Sequence, residues 1–344
     1  MRECINYQQL DGNSTQCQAC SHFCKITPGQ VGICGIRKNE SGKLYLLPYG
    51  KTTGVQIDPI EKKPLYHFLP DSQALSFGTF GCNFHCQNCL NWRFSQIFNN
   101  KGDVEDYSKM SWGKDWPPKK LVETAVGNDC QSIAYTYNEP TIFLEYALET
   151  MKLAHQKGLK NVWVSNGFMT EKTLDEIIPY LDGINVDIKS FEDSFYQQIC
   201  GGRLQPVLNN CKRLAKSDAW LEVSTLVIPT LTDDPEMLRD LARFILNHLG
   251  SNVPWHIIGF SASISWQMHN LPDAPPSLIN KAYQIGRDVG LDYVYAGKVG
   301  NGKMQHTYCP ECGEVVIKRS GYYIETSEKP SFCPACSHPI SGVF

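Results

Sequence analysis

The sequence lacks any long hydrophobic run and any strong imbalance of charge. No run of about 18 apolar residues occurs, which argues against a membrane-spanning helix. The first ten residues, MRECINYQQL, lack the apolar segment of a signal peptide. A formal net charge of −3 and scattered basic pairs give no reason to expect nucleic acid or an acidic membrane as a partner. We therefore expect a cytoplasmic protein with neither kind of partner.

Cysteine, by contrast, is abundant, with fifteen residues in 344. In a long chain without a signal segment, cysteines indicate metal binding rather than disulfides. Eleven of the fifteen fall into three clusters: Cys17, Cys20, Cys24 and Cys34; Cys82, Cys86 and Cys89; and Cys309, Cys312, Cys333 and Cys336. Cys4, Cys130, Cys200 and Cys211 are isolated, and we interpret them as ordinary small buried residues.

The clusters divide the chain into three predicted regions, residues 1–70, 71–300 and 301–344. The first is Cys-rich, and its only clear strand signal is GKLYLLPYG (42–50). The second alternates strand-like and helix-like stretches. Its predicted strands are ALSFGTF (74–80), QSIAYTY (131–137), NVWVS (161–165), GINVDI (183–188), WLEVSTLVI (220–228), PWHIIGF (254–260) and LDYVYA (291–296).

The spacing of these strands, mostly about 30 residues, is that of a βαβ unit. We expect an α/β fold with a parallel sheet, either open and doubly wound or curled into a barrel. In both cases ligands bind at the carboxyl ends of the strands. Polar residues collect at or near those ends, namely the three-cysteine loop, Asn138 and Glu139, Ser165 and Asn166, Asp187 to Lys189, and Ser224.

The stretch GCNFHCQNCLNW (81–92) holds three cysteines with no fourth nearby. A cubane iron–sulfur cluster bound by three thiolates has one iron without a protein ligand, and an open metal position can admit a substrate. The alternative is a closed structural site, completed by a remote cysteine such as Cys130 or Cys200.

C-x3-C-x2-C after the first strand of such a domain resembles the radical S-adenosylmethionine (SAM) superfamily. Further stretches resemble the AmmeMemoRadiSam-system radical SAM enzymes, which are similar in turn to pyruvate formate-lyase activating enzymes. These stretches are IDPIEKKPLYHFLP, YTYNEPTIFLEY, VSNGF, VDIKSF, ICGGRLQPVL and DYVYAGKVG followed by TYCPECG. The resemblance implies a partial (β/α)6 TIM-type barrel. It also implies a [4Fe–4S] cluster on Cys82, Cys86 and Cys89, with SAM completing the fourth iron.

The resemblance also implies roles for single residues at the rim. Asn138 and Glu139 stand where the superfamily receives the amino group of SAM, although an N-cap role for Asn138, with Pro140 near the first helical turn, is equally open. Ser165 and Asn166 are expected at the SAM carboxylate or ribose. Asp187 matches a carboxylate that helps to bind a monovalent cation beside SAM. Ser224 completes the predicted cofactor-binding set on the fifth strand.

Two departures from the family pattern affect the prediction. The residue before the third cysteine is usually aromatic and packs near adenine, whereas here it is Asn88, so we expect Trp92 to supply the stacking. Relatives tend to carry an Arg and a Pro on the sixth strand, where this chain reads WHIIGFSASISWQMHNLP. His256 is therefore assigned to the cofactor and substrate wall, together with Phe260, Trp266 and His269.

The flanking clusters predict further metal sites. The tail, C-x2-C-x20-C-x2-C, is typical of a zinc ribbon, with mononuclear iron as the alternative. The head, C-x2-C-x3-C-x9-C, suits either zinc or a second closed [4Fe–4S] cluster, and His22 is a possible replacement ligand.

The sequence therefore predicts a radical SAM enzyme that abstracts hydrogen from a small-molecule or protein substrate. A glycyl-radical activase is the alternative among enzymes. A non-catalytic electron-transfer or scaffold protein is the alternative from another class. The resemblance implies flavodoxin or ferredoxin as electron donor, and Memo-type and Ammecr-type proteins as partners.

Overall fold

A computed structural model describes residues 1–98, 110–297, 302–326 and 330–344. The predicted boundary between the second and third regions, at residue 300, lies outside the described residues. So does the end of the DYVYAGKVG stretch.

The first sixty residues form short strands rather than the single strand expected from the sequence. They are β1 (Arg2–Glu3), β2 (Tyr7–Gln9), β3 (Thr15–Cys17), β4 (Lys25–Ile26), β5 (Arg37–Glu40), β6 (Lys43–Leu46), β7 (Lys51–Thr52) and β8 (Gly54–Pro59). β1, β6 and β5 form one antiparallel sheet, and β2, β3 and β4 form another. Two 3₁₀ turns, Asp11–Asn13 and Ile60–Lys62, complete this part of the chain.

The central sheet contains all seven strands predicted from the sequence. They are β9 (Gln73–Gly78), β11 (Ser132–Tyr135), β12 (Lys160–Ser165), β13 (Gly183–Asp187), β14 (Trp220–Val227), β15 (Trp255–Gly259) and β16 (Val294–Gly297). All seven run parallel, while β8 pairs antiparallel with β9 at one edge. A short strand, β10 (Lys114–Asp115), pairs with β7 outside this sheet.

Strand order decides between the two architectures left open by strand spacing. The order β8, β9, β11, β12, β13, β14, β15, β16 follows the chain, so the sheet has no switch point. A doubly wound sheet requires such a reversal, whereas a barrel does not. Within the described residues β8 and β16 are the two edges and do not pair with each other. The predicted partial barrel is therefore confirmed, with β16 as a seventh parallel strand.

The helices connect the strands. They are α1 (Trp92–Ser95), α2 (Pro118–Gly127), α3 (Leu144–Gln156), α4 (Glu171–Ile177), α5 (Asp193–Phe195), α6 (Leu204–Leu214), α7 (Pro235–Phe244) and α8 (Pro276–Val289). Five-residue π-helical turns extend α5 and α7, over Tyr196–Cys200 and Ile245–Leu249. Short 3₁₀ helices cover Pro140–Phe143, Ile178–Tyr180, Ala262–Ile264 and Gly302–Gln305. Among the described helices, none combines the length and apolar character needed to span a bilayer.

Apolar side chains of the first predicted region, residues 1–70, called the head, belong to the same hydrophobic core as those of the barrel. Ile26, Ile36, Leu44 and Leu46 are buried in one cluster with side chains of β9, β11 and α3. Because β8 also lies before residue 70 and pairs with β9, the first predicted region contributes both a strand and core side chains to the barrel.

The tail forms a three-stranded antiparallel sheet of β17 (Thr307–Tyr308), β18 (Val315–Ser320) and β19 (Tyr323–Thr326). Its core includes Val316, Ile317 and Ile324 and continues into Tyr293 and Tyr295 of the last part of the barrel. The final residues reach further, because Val343 forms a parallel bridge with Phe68. The tail is thus packed against the barrel by ordinary apolar contacts as well as by its cysteines.

Candidate active site

A cavity of about 210 Å³, partly open to solvent, lies at the carboxyl ends of the barrel strands. It gathers nine of the predicted site residues: Cys82, Cys86, Asn88, Cys89, Asn138, Glu139, Ser165, Asn166 and Asp187. These residues come from four strand ends separated by up to about a hundred positions in the chain. The expectation that one rim collects thiolates, amides and carboxylates is met by this arrangement.

The cysteine loop begins in a turn that only glycine fits. Gly81 has a φ of +83°, and a Cβ there would lie 2.2 Å from the carbonyl oxygen of Cys34. The amide of Asn138 holds this turn, since its Nδ2 donates to the carbonyl of Gly81 at 2.8 Å and its Oδ1 accepts from the N–H of Thr79 at 3.1 Å. Asn138 therefore positions the loop rather than facing a ligand with a free amide.

Two of the three loop thiols, those of Cys82 and Cys89, depend on a metal to become thiolates. Burial raises the pKa of Cys82 well above its usual value, and the neighbouring Cys86 and Glu139 add to the effect. Burial likewise raises the pKa of Cys89. Thiolate ligands must be deprotonated, and a bound cation supplies the charge that stabilises them in a buried site. Three convergent thiols in a cavity fit an iron–sulfur cluster, so metal binding here should release protons.

Cys200 lies beside Cys86. The sequence named Cys200 as a remote candidate ligand but gave no indication of this contact. A hydrogen bond between the two thiols lowers the pKa of Cys86 and raises that of Cys200. Cys200 is fully buried and is absent from the cavity lining, whose only described thiols are those of Cys82, Cys86 and Cys89. Cys130, the other candidate, precedes the first residue of β11 and points its thiol at the carbonyl of Asn128. The cavity face of the three-thiol site is thus left to a non-protein ligand.

Glu139 is the N-cap of the helical segment that leads into α3. Its Oε1 accepts from the N–H and hydroxyl of Thr141 at 3.0 and 2.6 Å and from the hydroxyl of Ser165 at 2.9 Å. Among the described residues, Oε2 accepts one hydrogen bond, from the N–H of Asn166 at 2.7 Å. Burial raises the pKa of Glu139 despite these donors. The cap is therefore Glu139, with Pro140 next, and not Asn138, the cap that the sequence left open. Oε2 of Glu139 keeps spare acceptor capacity toward the cavity.

The loop after β12 is fixed by its own polar groups. The Nδ2 of Asn166 donates to Oδ1 of Asn83 at 2.7 Å, and its Oδ1 accepts from the N–H of Phe168 at 3.0 Å. Ser165 accepts a bond from the N–H of Gly167 at 3.0 Å while donating to Glu139. Both side chains line the cavity with their orientation already set.

Lys189 is a cavity residue that the sequence prediction left without a role. Its Nζ lies 2.7 Å from Oδ2 of Asp187, where the resemblance implied a monovalent cation. Burial opposes the charged ammonium, but attraction to Asp187 and Cys86 outweighs it, and the pKa of Lys189 rises above its usual value. A fixed positive charge thus stands beside both the carboxylate and the cysteine loop. The signal was available, since Lys189 follows Asp187 by two positions at a strand end.

Three predicted cofactor contacts are not brought into the cavity. Trp92 begins α1 and packs against the guanidinium of Arg93, so the expected adenine stacking is not formed by the described cavity lining. Ser224 donates to Oδ1 of Asn185 at 2.8 Å inside the barrel. His256 bonds Oε2 of Glu222 at 2.5 Å, also inside. On these two strands the cavity is reached instead by Leu226 and Ile258, each two residues further on.

The remaining members of the predicted substrate wall also lie away from this lining. Phe260, Trp266 and His269 are absent from it; Phe260 is buried and His269 is exposed. All three follow the end of β15 at Gly259, so their positions are set by the connection that leads to α8 and not by the alternation of a strand.

The tail cysteines form a compact metal-binding set. The four Sγ atoms lie within 4.8 Å of one another, with Cys309 to Cys336 at 3.6 Å and Cys312 to Cys333 at 3.5 Å. Four thiolates at about 2.3 Å from one tetrahedral ion would stand about 3.8 Å apart, which is close to this spacing. Backbone N–H groups of Ala335 and Cys336 help to lower the pKa of Cys333 to about 7 against the opposing effect of burial.

Comparison with known proteins adds a family to this geometry. The family model of the radical SAM superfamily matches residues 77–245. The uncharacterized protein MJ0808 of Methanocaldococcus jannaschii is 36% identical over 346 residues, covering 100% of both chains. The chain belongs to the radical SAM superfamily. The cofactors of this radical SAM protein are accordingly a [4Fe–4S] cluster and SAM.

Other relatives of this radical SAM protein are more distant. The pyruvate formate-lyase-activating enzyme of Clostridium pasteurianum is 22% identical over 191 residues, which is 53% of this chain and 74% of that one. A radical SAM methyltransferase from Sphaerobacter thermophilus superposes with a TM-score of 0.49 at 13% identity, covering 67% of each chain.

Proposed function

We propose that the cavity binds SAM against a [4Fe–4S] cluster on Cys82, Cys86 and Cys89, and that the resulting radical abstracts hydrogen from a small-molecule substrate. The observation that carries the proposal is the open face of the three-thiol loop. All three thiols line one cavity together with the buried carboxylate of Glu139 and the ion pair of Asp187 and Lys189. A carrier protein would have no need for this set of groups around its metal.

Such a cluster supplies one electron that cleaves the sulfonium of bound SAM and yields a 5′-deoxyadenosyl radical. The protein's part is to bind and orient. Oε2 of Glu139 has the acceptor capacity for the amino group of SAM, and Nζ of Lys189 has the charge for its carboxylate. Leu226 and Ile258 give the inner wall an apolar surface that helps to exclude water.

A glycyl-radical activase is the second candidate. It is supported by the similarity to the pyruvate formate-lyase-activating enzyme, which acts on a partner protein as its name states. The same rim would serve either substrate class, so the two candidates differ in what approaches the open side of the cavity. Deuterium transfer into 5′-deoxyadenosine from labelled metabolites, compared with transfer from labelled candidate proteins, separates them.

The finer assignment to the AmmeMemoRadiSam group is also part of this proposal and rests on the sequence stretches quoted above. This assignment implies Memo-type and Ammecr-type proteins as partners and flavodoxin or ferredoxin as electron donor. The proposal also includes a cytoplasmic location and zinc in the tail, and a monovalent cation near Asp187 would share that carboxylate with Lys189. Each of these can be tested without the others.

The experiment is anaerobic SAM cleavage by the wild-type chain and by Cys86→Ala, with Cys130→Ala as the matched control. Cys130 is also a buried cysteine, but its thiol bonds a backbone carbonyl outside all three clusters. Cys86→Ala should bind fewer irons and form no 5′-deoxyadenosine, whereas Cys130→Ala should cleave SAM. Cleavage that persists in Cys86→Ala contradicts the site, and a wild-type chain that binds iron without cleaving SAM is an electron carrier instead.

A further inference from the structure

The four head cysteines surround an enclosed space of their own. Cys17, Cys20, Cys24 and Cys34 all line one small cavity of about 10 Å³ beneath β3 and β4. Cys17, Cys20 and Cys34 are buried, and Cys24 is half-buried. The guanidinium of Arg37, which is paired with the carboxylate of Glu145 at 2.7 Å, lies 4.0 Å from Sγ of Cys17. Four thiols around one space indicate a metal site.

The spacing of the thiols distinguishes this site from the tail. Among the described residues, only the tail thiols come together as a group within 4.8 Å of one another, which is the spacing of ligands on a single ion. No three of the head thiols do so, and neither do the three thiols of the barrel loop. In a [4Fe–4S] cluster each thiolate binds a different iron, so the thiolates stand further apart. The head therefore resembles the barrel loop and not the zinc-like tail.

An unpartnered amide points independently to a ligand in the head. Asn83 lines the head cavity and is fully buried, yet its Nδ2 has no hydrogen-bond partner in the described structure. A buried donor left unpaired costs about 1–3 kcal/mol, so such groups normally have a partner. Sulfur atoms of an iron–sulfur cluster accept hydrogen bonds of this kind. His22 also lines the cavity, and its Nε2 is 2.7 Å from the carbonyl oxygen of Asn83.

The head site directly adjoins the barrel site. Asn83 follows Cys82, and its Oδ1 lies 3.7 Å from Sγ of Cys82. The carbonyl of Cys34 packs against Gly81 so closely that no side chain fits between them. Cys20 forms an antiparallel bridge with Met169, in the loop that begins with Ser165 and Asn166. Cys82 thus stands in the sequence between Gly81, which packs against Cys34, and Asn83, which lines the head cavity.

We propose that Cys17, Cys20, Cys24 and Cys34 bind a second [4Fe–4S] cluster, which passes one electron to the cluster of the barrel. A low-potential one-electron donor of the flavodoxin or ferredoxin class loses one electron, and the head cluster gains it. The head cluster is then reoxidised as the barrel cluster is reduced, so no proton or bond is involved. Cys24, the most exposed of the four thiols, marks the side of entry. The relay rests on the proposed function, whereas the presence of the cluster does not.

Metal content tests the cluster itself. Wild type, Cys24→Ala and Cys20→Ala are reconstituted anaerobically as full chains, with Cys211→Ala as a control for loss of a buried cysteine in α6. Loss of a head ligand should remove about four irons and four sulfides per chain relative to wild type, without changing the zinc content. Loss of one zinc with unchanged iron overturns the proposal. If neither head variant folds, the wild-type count decides, because two cubanes give about eight irons and one gives about four.

The relay is tested by how the barrel cluster is reduced. Its reduced state is followed by the electron paramagnetic resonance signal that SAM perturbs, in wild type and in Cys24→Ala. The measured quantity is a ratio of two rates of reduction of the barrel cluster. The rate with reduced flavodoxin is divided by the rate with dithionite, a small reductant that needs no relay. This ratio should fall at least about tenfold in the variant. An unchanged ratio overturns the relay. Failure of the proposed function gives a different result, because SAM would then perturb the signal of neither wild type nor Cys24→Ala.

Discussion

At the scale of single residues, the ion pair of Asp187 and Lys189 changes how SAM binding is understood. The family resemblance placed a monovalent cation beside Asp187, whereas the structure places the ammonium of Lys189 there at 2.7 Å. Two opposite charges in a poorly solvated cleft interact by about 4 kcal/mol at 4 Å and an effective dielectric of about 20. A carboxylate of SAM near this pair would therefore be attracted mainly by Lys189.

This arrangement makes Lys189→Gln an informative change. The substitution removes the charge but keeps a hydrogen-bond donor, so we expect the dissociation constant of SAM to rise about tenfold, or about 1.4 kcal/mol. Lys189→Arg keeps the charge and should bind within about threefold of wild type. Anaerobic isothermal titration in sodium and in potassium chloride measures both. Wild-type affinity that depends on which cation is present would restore the monovalent cation, and equal affinity in Lys189→Gln would remove Lys189 from the SAM site.

The sequence predicted which residues lie at the rim where a motif fixed their position. It failed where the depth of a side chain within the barrel decides whether that side chain reaches the cavity. The cysteine loop and Glu139 follow the ends of β9 and β11, and Asp187 is the last residue of β13, so the sequence alone placed them at the rim. Ser224 and His256 face the barrel interior as strand alternation requires, but they lie one layer below the cavity. Cys200 was interpreted as an ordinary buried cysteine, because nothing in its local sequence reports that the turn after α5 packs against the loop of Cys86.

At the scale of elements, the tail has two independent sources of order. Four thiols hold its two turns, while Ile317 and Arg319 of β18 are buried against the barrel. Arg319 donates from Nη2 to the carbonyl of Tyr66 at 2.7 Å and from Nη1 to Oγ1 of Thr307 at 2.7 Å. Metal binding is therefore needed for the turns but not for the contact of β18 with the barrel.

Cys312→Ala tests this division. The variant should lose the tail metal, and residues 309–313 and 330–336 should become sensitive to protease, because two small turns cannot bury a core of their own. The barrel and β18 should remain resistant, as expected for a local defect. Limited proteolysis with mass spectrometry, before and after chelation of the wild type, gives the comparison. Turns that resist protease equally after metal loss would show that packing alone holds them.

The end of the chain is joined to the barrel by a hydrogen-bonded histidine. Nδ1 of His67 lies 2.6 Å from the carbonyl of Ser341 and must carry the proton, so Nε2 accepts from the hydroxyl of Tyr295 at 2.5 Å. Tyr295 in turn contacts Thr307, which accepts from Arg319. Burial lowers the pKa of His67 to about 4, and Arg319 contributes in the same direction, although Glu222 and Ser341 oppose it.

A pH-dependent loss of stability follows from this neutral histidine. The unfolded chain gains a proton on His67 below about pH 6.5, whereas the folded chain does not until about pH 4, so stability falls as the pH falls through that window. Between pH 7 and pH 5 the loss should be about 2 kcal/mol. Over the same range the stability of His67→Asn should fall by about 2 kcal/mol less than that of wild type, although the variant is less stable at pH 7. Anaerobic urea unfolding measures both, with His155→Gln, an exposed histidine, as control. Equal pH slopes in wild type and His67→Asn would contradict the assignment.

The sequence revealed the long buried elements better than the short ones. All seven parallel strands were predicted, since strands covered on both faces are apolar throughout. In the head only β6 was predicted, within GKLYLLPYG (42–50), and the other described strands were missed because most of them have two to four residues and carry polar or cysteine side chains. Helix α2 was missed as well, despite Pro118 at its first position and an apolar stripe of Leu121, Val122 and Ala125.

At the scale of the whole molecule, the head and the barrel are joined across a buried ion pair. Nη2 of Arg37, on β5, lies 2.7 Å from Oε2 of Glu145 on α3, and the two side chains are 1% and 3% exposed. Arg37 also donates from Nε to the carbonyl of Ile142 at 2.8 Å, and Glu145 accepts from the N–H of Ile5 at 3.0 Å. With a shared apolar core around it, this pair makes the head and barrel one cooperative unit.

Glu145→Leu measures how strongly that unit depends on the pair. The change leaves the guanidinium of Arg37 buried without its counter-charge, which costs about 3–5 kcal/mol when one partner of a buried pair is removed. The double change with Arg37→Met removes the stranded charge and should recover more than half of that loss. Glu325→Gln breaks the exposed pair with Lys318 and should cost less than about 1 kcal/mol.

Cooperativity is tested by urea unfolding of wild type, followed separately by tryptophan fluorescence and by release of the head metal. A single cooperative unit gives coincident transitions by the two measurements. If the head metal is released well before the barrel unfolds, the head is an independent domain joined to the barrel only at its surface.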